Sequence, residues 1–129
     1  MPPDSAQRLA DLAVVALVVG EGTDADLDPR ESRAVVERLC ASAEALTGEP
    51  VRTVAVMDQV QAAVERYGRL TVPEFEALVT RTGEALGDAA RVAAFSVLVA
   101  VAEADGAVTT MERTLLRHIA GAWNVTTLE

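Results

Sequence analysis

Two acidic segments of the chain carry the residues whose types and spacing could support chemistry. One of them, residues 103–113, reads Glu-Ala-Asp-Gly-Ala-Val-Thr-Thr-Met-Glu-Arg, and a degenerate copy lies at residues 23–31. Clustered carboxylates supply the oxygen ligands that hard cations such as Ca²⁺ and Mg²⁺ require. The sequence therefore indicates an irregular divalent-cation site at one or both segments. The candidate metal ligands are Asp24, Asp26, Asp28, Glu31, Glu103, Asp105 and Glu112.

Helix capping is the alternative explanation for the same acids. Asp28 and Glu31 have the three-residue spacing of a capping box, in which two side chains satisfy backbone N–H groups at a helix N-terminus. The same spacing separates Thr109 from Glu112, and the Asp-Gly pair at 105–106 is typical of a turn. Both interpretations, structural caps and cation ligands, stay open on the sequence alone.

Other kinds of site find little support in the sequence. An EF-hand loop starting at Asp24 fails because Pro29 stands where the loop needs glycine, and Val35 stands where it needs a bidentate glutamate. A single histidine, His118, excludes a histidine-rich zinc site, and no serine lies in a nucleophile-elbow motif. A glycine-rich phosphate loop after a strand is also absent. We therefore expect a protein that is not an enzyme.

The charge of the chain narrows the class of partner. The sequence has 20 acidic residues against 11 basic ones, all arginine, for a net charge of −9. An acidic surface repels nucleic acid and anionic lipid, so neither is an expected partner. A cation or a protein surface is a more suitable partner for an acidic chain.

The length and the apolar segments predict one domain, residues 1–129, that does not insert into a membrane. The longest apolar stretches, 12–20 and 92–102, are shorter than the roughly 20 residues needed to cross a bilayer. The only cysteine, Cys40, excludes an intrachain disulfide and suits a reducing compartment. We therefore expect a cytoplasmic protein.

Periodicity and capping signals position the acidic segments between helices. Six helices are predicted, at about 5–19, 28–48, 52–67, 71–86, 88–104 and 109–123. The first and fifth are apolar on nearly every face, which predicts two buried helices at the centre of the fold. Each is followed by an acidic loop and an amphipathic helix. The expected fold is a compact all-α bundle built from two pseudo-symmetric helix-loop-helix halves around these two helices.

The second acidic segment and the helix after it resemble the TerB-like tellurite-resistance family. The residues that match the family signature are Asp105, Gly106, Val108, Thr109, Glu112 and Arg113. The earlier copy agrees at Asp24, Leu27, Asp28 and Glu31. It departs from the pattern at Ala25, which replaces the glycine. The resemblance extends over about residues 5–125.

This resemblance implies an all-helical fold with two related halves and a place in a stress response. It also implies metal binding through the acids at Asp24, Glu31, Asp105 and Glu112, and association with membrane-bound partner proteins. We therefore expect a non-enzymatic module that binds a divalent cation or a protein partner. The alternatives are a structural interaction or homodimerisation module without metal, and a metal-dependent hydrolase that uses the same carboxylates.

Overall fold

The protein is a bundle of six α-helices. The computed structural model describes the backbone of residues 3–21, 29–103 and 110–125, and the side chains of residues 5–19, 33–103 and 110–125. No strand occurs in these ranges, which confirms the predicted all-α class. The helices are α1 (Pro3–Glu21), α2 (Pro29–Thr47), α3 (Thr53–Tyr67), α4 (Val72–Ala85), α5 (Asp88–Glu103) and α6 (Thr110–Trp123).

Local signals explain where the middle helices begin and end. At the start of α4 the Thr71 hydroxyl accepts a hydrogen bond from the Glu74 N–H at 3.3 Å, and the Glu74 carboxylate accepts one from the Thr71 N–H at 3.2 Å. This is a capping box, and its three-residue spacing is present in the sequence. At the end of α2, Gly48 adopts a φ of +79°, a left-handed conformation that glycine reaches without steric cost. Its N–H donates to the Glu44 carbonyl at 2.7 Å.

Helix α1 is the centre of the bundle. It lies against all five other helices. From Leu9 to Val19 every side chain is buried except Val18, which is half-buried. Each fully buried leucine or valine contributes about 1.5–3 kcal/mol relative to an exposed one, so this helix is the main source of apolar stabilisation. The predicted burial of the first helix is confirmed for the segment from Leu9 to Val19.

Helix α5 is less buried than the sequence predicts. Phe95, Leu98 and Val101 are buried, but Val92 is 57% exposed and Ser96 faces solvent. The reason is that α5 packs chiefly on α1, α2 and α6, so one of its sides has no neighbouring helix. The two apolar helices are therefore not equivalent in the bundle, and the pseudo-twofold relation between the halves stays a prediction.

The end of α6 closes the bundle against α4. Trp123 is buried, and its indole Nε1–H donates to the Val79 carbonyl at 2.8 Å. Gly83 lies directly under the ring, where a Cβ atom would come within 2.8 Å of Nε1. This glycine lies in the last turns of α4, where it weakens the helix intrinsically. In the structure its missing side chain is what allows the indole to approach.

Candidate functional sites

The predicted cation ligands belong to the junctions α1–α2 and α5–α6. Asp24, Asp26, Asp28 and Asp105 lie outside the residues that the structure describes. Glu31 lies in the first turn of α2, where only the backbone is described. The arrangement of these five acids therefore stays a prediction.

The remaining two predicted ligands differ in their surroundings. Glu103 is the last residue of α5 and is exposed, at a helix end where the dipole disfavours negative charge. Glu112 lies in the first turn of α6 and is only 7% exposed. A carboxylate buried to this degree requires a polar partner, and the dipole of α6 favours its charge. Both the capping and the ligand interpretation of Glu112 are compatible with this position.

Within the described ranges, no group of three or more His, Cys, Asp or Glu side chains is arranged so that it could hold a metal ion. A cation site formed by the predicted ligands would therefore have to draw on the junction residues outside those ranges. The half-buried Cys40 and the exposed His118 do not enter such a group.

A buried ion-pair cluster lies elsewhere in the bundle. The side chain of Asp11, in the middle of α1, is only 6% exposed. Its Oδ1 atom accepts hydrogen bonds from Arg66 Nη1 at 2.9 Å, from Arg81 Nη2 at 3.4 Å and from Gln7 Nε2 at 2.7 Å. The cluster ties α1 to α3 and α4, and it places two guanidinium groups next to each other.

The same two arginines line a cavity of about 280 Å³ between the end of α3 and one face of α4. A third arginine, Arg69, lies on its wall together with Glu74. Apolar side chains complete the lining: Leu70, Ala77 and Leu78. The cavity therefore combines cationic groups with an apolar surface.

A comparison with protein-family models establishes the relationship of the chain. The model described as tellurite resistance protein TerB matches residues 8–129. The chain belongs to the TerB family. No curated protein and no solved structure gave a significant match. The family assignment thus rests on a match that covers most of α1, the other five helices and both acidic junctions, and it confirms the resemblance seen in the second acidic segment.

The TerB family is not a known family of enzymes. None of the helices in the described ranges is both long and apolar enough to span a bilayer.

The ion-pair cluster of this TerB protein was not predicted from the sequence. Asp11 did leave a signal, since it is the only charged residue between Leu9 and Val19 in an otherwise apolar helix. A charge on a buried face needs a partner of opposite charge. The partners could not be identified from the sequence because they lie 55 and 70 residues further along the chain.

Proposed function

We propose that this TerB protein is a non-enzymatic, cytoplasmic component of a tellurite-resistance-type stress response that binds a divalent cation through its two acidic junctions. The observation that carries the proposal is the family match over residues 8–129, which includes both junctions and every predicted ligand. Ca²⁺ and Mg²⁺ fit best, because carboxylates are the only abundant ligand type in the two segments.

The helices that flank the junctions suit this role. Helix α2 packs on α1 and α5, and α6 packs on α5 and α1, so the four helices that flank the junctions contact one another. A cation beside Glu103 would also offset the unfavourable position of this carboxylate at the C-terminus of α5.

Thermal unfolding of the chelator-treated protein tests the proposal. The protein is titrated with Ca²⁺, Mg²⁺, Mn²⁺ and Zn²⁺, alongside the double variant Asp24→Asn/Asp105→Asn. A ligand that binds only the folded state adds about 2.7 kcal/mol at one hundred times its Kd. For a chain of this size, such a gain raises the Tm by roughly 8–11 °C. We expect one metal to raise the Tm of the wild type and to have no effect on the double variant.

A matched control separates site binding from general screening of the acidic surface. Asp58 and Glu65 are exposed on α3, so Asp58→Asn/Glu65→Gln removes the same charge far along the chain from both junctions. This control should respond to the metal as the wild type does. The cation assignment is wrong if no metal shifts the Tm at millimolar concentration, or if both double variants lose the shift equally.

The second candidate function is a protein-interaction module that needs no metal, with a membrane-associated stress protein or a second copy of the chain as partner. Exposed apolar residues favour it: Val54 is 67% exposed and Met57 is 52% exposed, three residues apart on α3. Residues at this spacing lie on the same face of a helix. Absence of any metal-dependent Tm shift would favour this candidate.

A further inference from the structure

The cavity between α3 and α4 has an unusual charge for this protein. The chain carries a net charge of −9, yet three of its 11 basic residues, Arg66, Arg69 and Arg81, surround one space of about 280 Å³. Arg66 lies in the last turn of α3, Arg69 follows the end of that helix, and Arg81 lies in α4. The acids near this cavity balance only part of the positive charge of the three arginines.

Two acids take part in the charge balance of the cavity. Asp11 of α1 forms ion pairs with Arg66 and Arg81. Glu74 is held at the start of α4, where its carboxylate accepts hydrogen bonds from the hydroxyl and the N–H of Thr71 at 2.7 and 3.2 Å. These two hydrogen bonds lower the pKa of Glu74, so it is ionised at neutral pH.

Arg69 differs from the other two arginines in its polar contacts. Its Nε lies 3.4 Å from the carbonyl of Glu65, in the last turn of α3. No carboxylate within the described residues forms an ion pair with it. Among the described residues at this cavity, three guanidinium groups are matched by two carboxylates, Asp11 and Glu74, which leaves one excess positive charge.

The arginines are also oriented in advance. A guanidinium has five N–H donors, and Asp11 engages one nitrogen each of Arg66 and Arg81, so donors remain on both groups. Because Asp11 already holds these side chains, binding a ligand would immobilise little additional freedom. The planar fork of arginine matches the oxygens of carboxylates and phosphates.

We propose that this cavity binds a small anion that presents carboxylate or phosphate oxygens, with Arg69 as its principal counter-charge. The volume of about 280 Å³ lies just below the usual range for drug-sized ligands, which favours a very small molecule over a macromolecular segment. Leu70 and Leu78 on the wall would contact a short apolar portion of such an anion.

An NMR titration of the protein tests the proposal, with inorganic phosphate added in one series and acetate in the other. Sodium chloride keeps the ionic strength constant in both series. We expect saturable shifts of the Nε–Hε signals of Arg66, Arg69 and Arg81. The series that saturates at lower concentration identifies phosphate or carboxylate as the preferred group. Constant ionic strength removes screening as an explanation.

Arg69→Gln is the decisive variant, because it removes the excess charge without exposing Asp11. Loss of one charge-assisted interaction should raise the Kd by about tenfold or more. The matched control is Arg38→Gln, on an exposed position of α2, which should leave the Kd unchanged. The amide spectrum of each variant reports whether the fold is intact.

A second variant keeps the test independent of Arg69. Ala77 is exposed and lies on the cavity wall, so Ala77→Glu introduces an acid there without disturbing the core. It should abolish the shifts seen with phosphate and acetate. The proposal is overturned if neither anion gives saturable shifts in the wild type, or if folded Arg69→Gln and Ala77→Glu bind as tightly as the wild type.

Discussion

Replacing Arg66 should destabilise this TerB protein more than replacing Arg81, although both pair with the same carboxylate. Arg66 Nη1 lies 2.9 Å from Asp11 Oδ1, and its side chain is 34% exposed. Arg81 Nη2 lies 3.4 Å from the same atom, and its side chain is 58% exposed. The variants Arg66→Met and Arg81→Met keep much of the aliphatic stem and remove only the charged fork.

The magnitudes follow from burial. Removing one partner from a fully buried ion pair costs about 3–5 kcal/mol, because the other charge is left buried and uncompensated. Arg66 is about one-third exposed and Arg81 stays in place, so we expect a loss of about 2 kcal/mol for Arg66→Met. Exposed pairs contribute about 0.2–1 kcal/mol, which sets the expectation for Arg81→Met at about 0.5 kcal/mol. These losses correspond to Tm decreases of roughly 6–8 °C and 2 °C.

Urea unfolding followed by circular dichroism at neutral pH measures both variants. A change in midpoint with an unchanged m-value reports stability alone. A double-mutant cycle with Asp11→Asn isolates the interaction of Asp11 with Arg66, which we expect to be about 1–2 kcal/mol. Equal losses in the two arginine variants, or a coupling energy near zero, would refute the argument that burial of the pair sets its strength.

Two further perturbations test local features of the fold. Gly83→Ala should lower the free energy of unfolding by about 1–3 kcal/mol although alanine favours helices, because the new Cβ would collide with Trp123. The control Gly121→Ala, on an open face of α6, should raise the free energy of unfolding by up to about 1 kcal/mol. Urea unfolding measures both, and a stabilised Gly83→Ala variant would contradict the packing argument. Hydrogen bonds from the Thr71 side chain and backbone lower the pKa of Glu74, so the capping box should contribute stability above the ordinary pKa of a glutamate and lose it as the pH falls through the lowered value. In Thr71→Val, NMR titration should find the Glu74 pKa closer to its ordinary value, and an unchanged pKa would show that another group lowers it.

Elements with local signals could be predicted from the sequence. The Thr71 and Glu74 pair gave the start of α4, and Gly48 gave the end of α2, because caps and left-handed glycines act over three or four residues. The burial of α1 followed from its continuous apolar run. These features depend on neighbouring residues only, so a single sequence contains them.

Features that depend on distant neighbours could not be predicted. Helices α1 and α5 look alike in sequence, yet Val92 and Ser96 of α5 face solvent because fewer helices surround it. The ion pairs of Asp11 join residues that the chain brings together only after three helices have packed. The cation site stays a prediction, since Asp24 and Asp105 lie outside the described ranges.

The buried Asp11 is better explained by orientation than by stability. Placing a carboxylate in an otherwise apolar helix carries a desolvation cost, and an apolar residue of similar volume is often as stabilising or more so. An apolar residue at this position could not pair with Arg66 of α3 and Arg81 of α4, and so could not fix the positions of their guanidinium groups. The consequence of the acid in α1 is therefore a fixed pair of guanidinium groups at the wall of the α3–α4 cavity, beside Arg69. A small anion bound there would accept hydrogen bonds from guanidinium groups of Arg66 and Arg81 that Asp11 already holds in position.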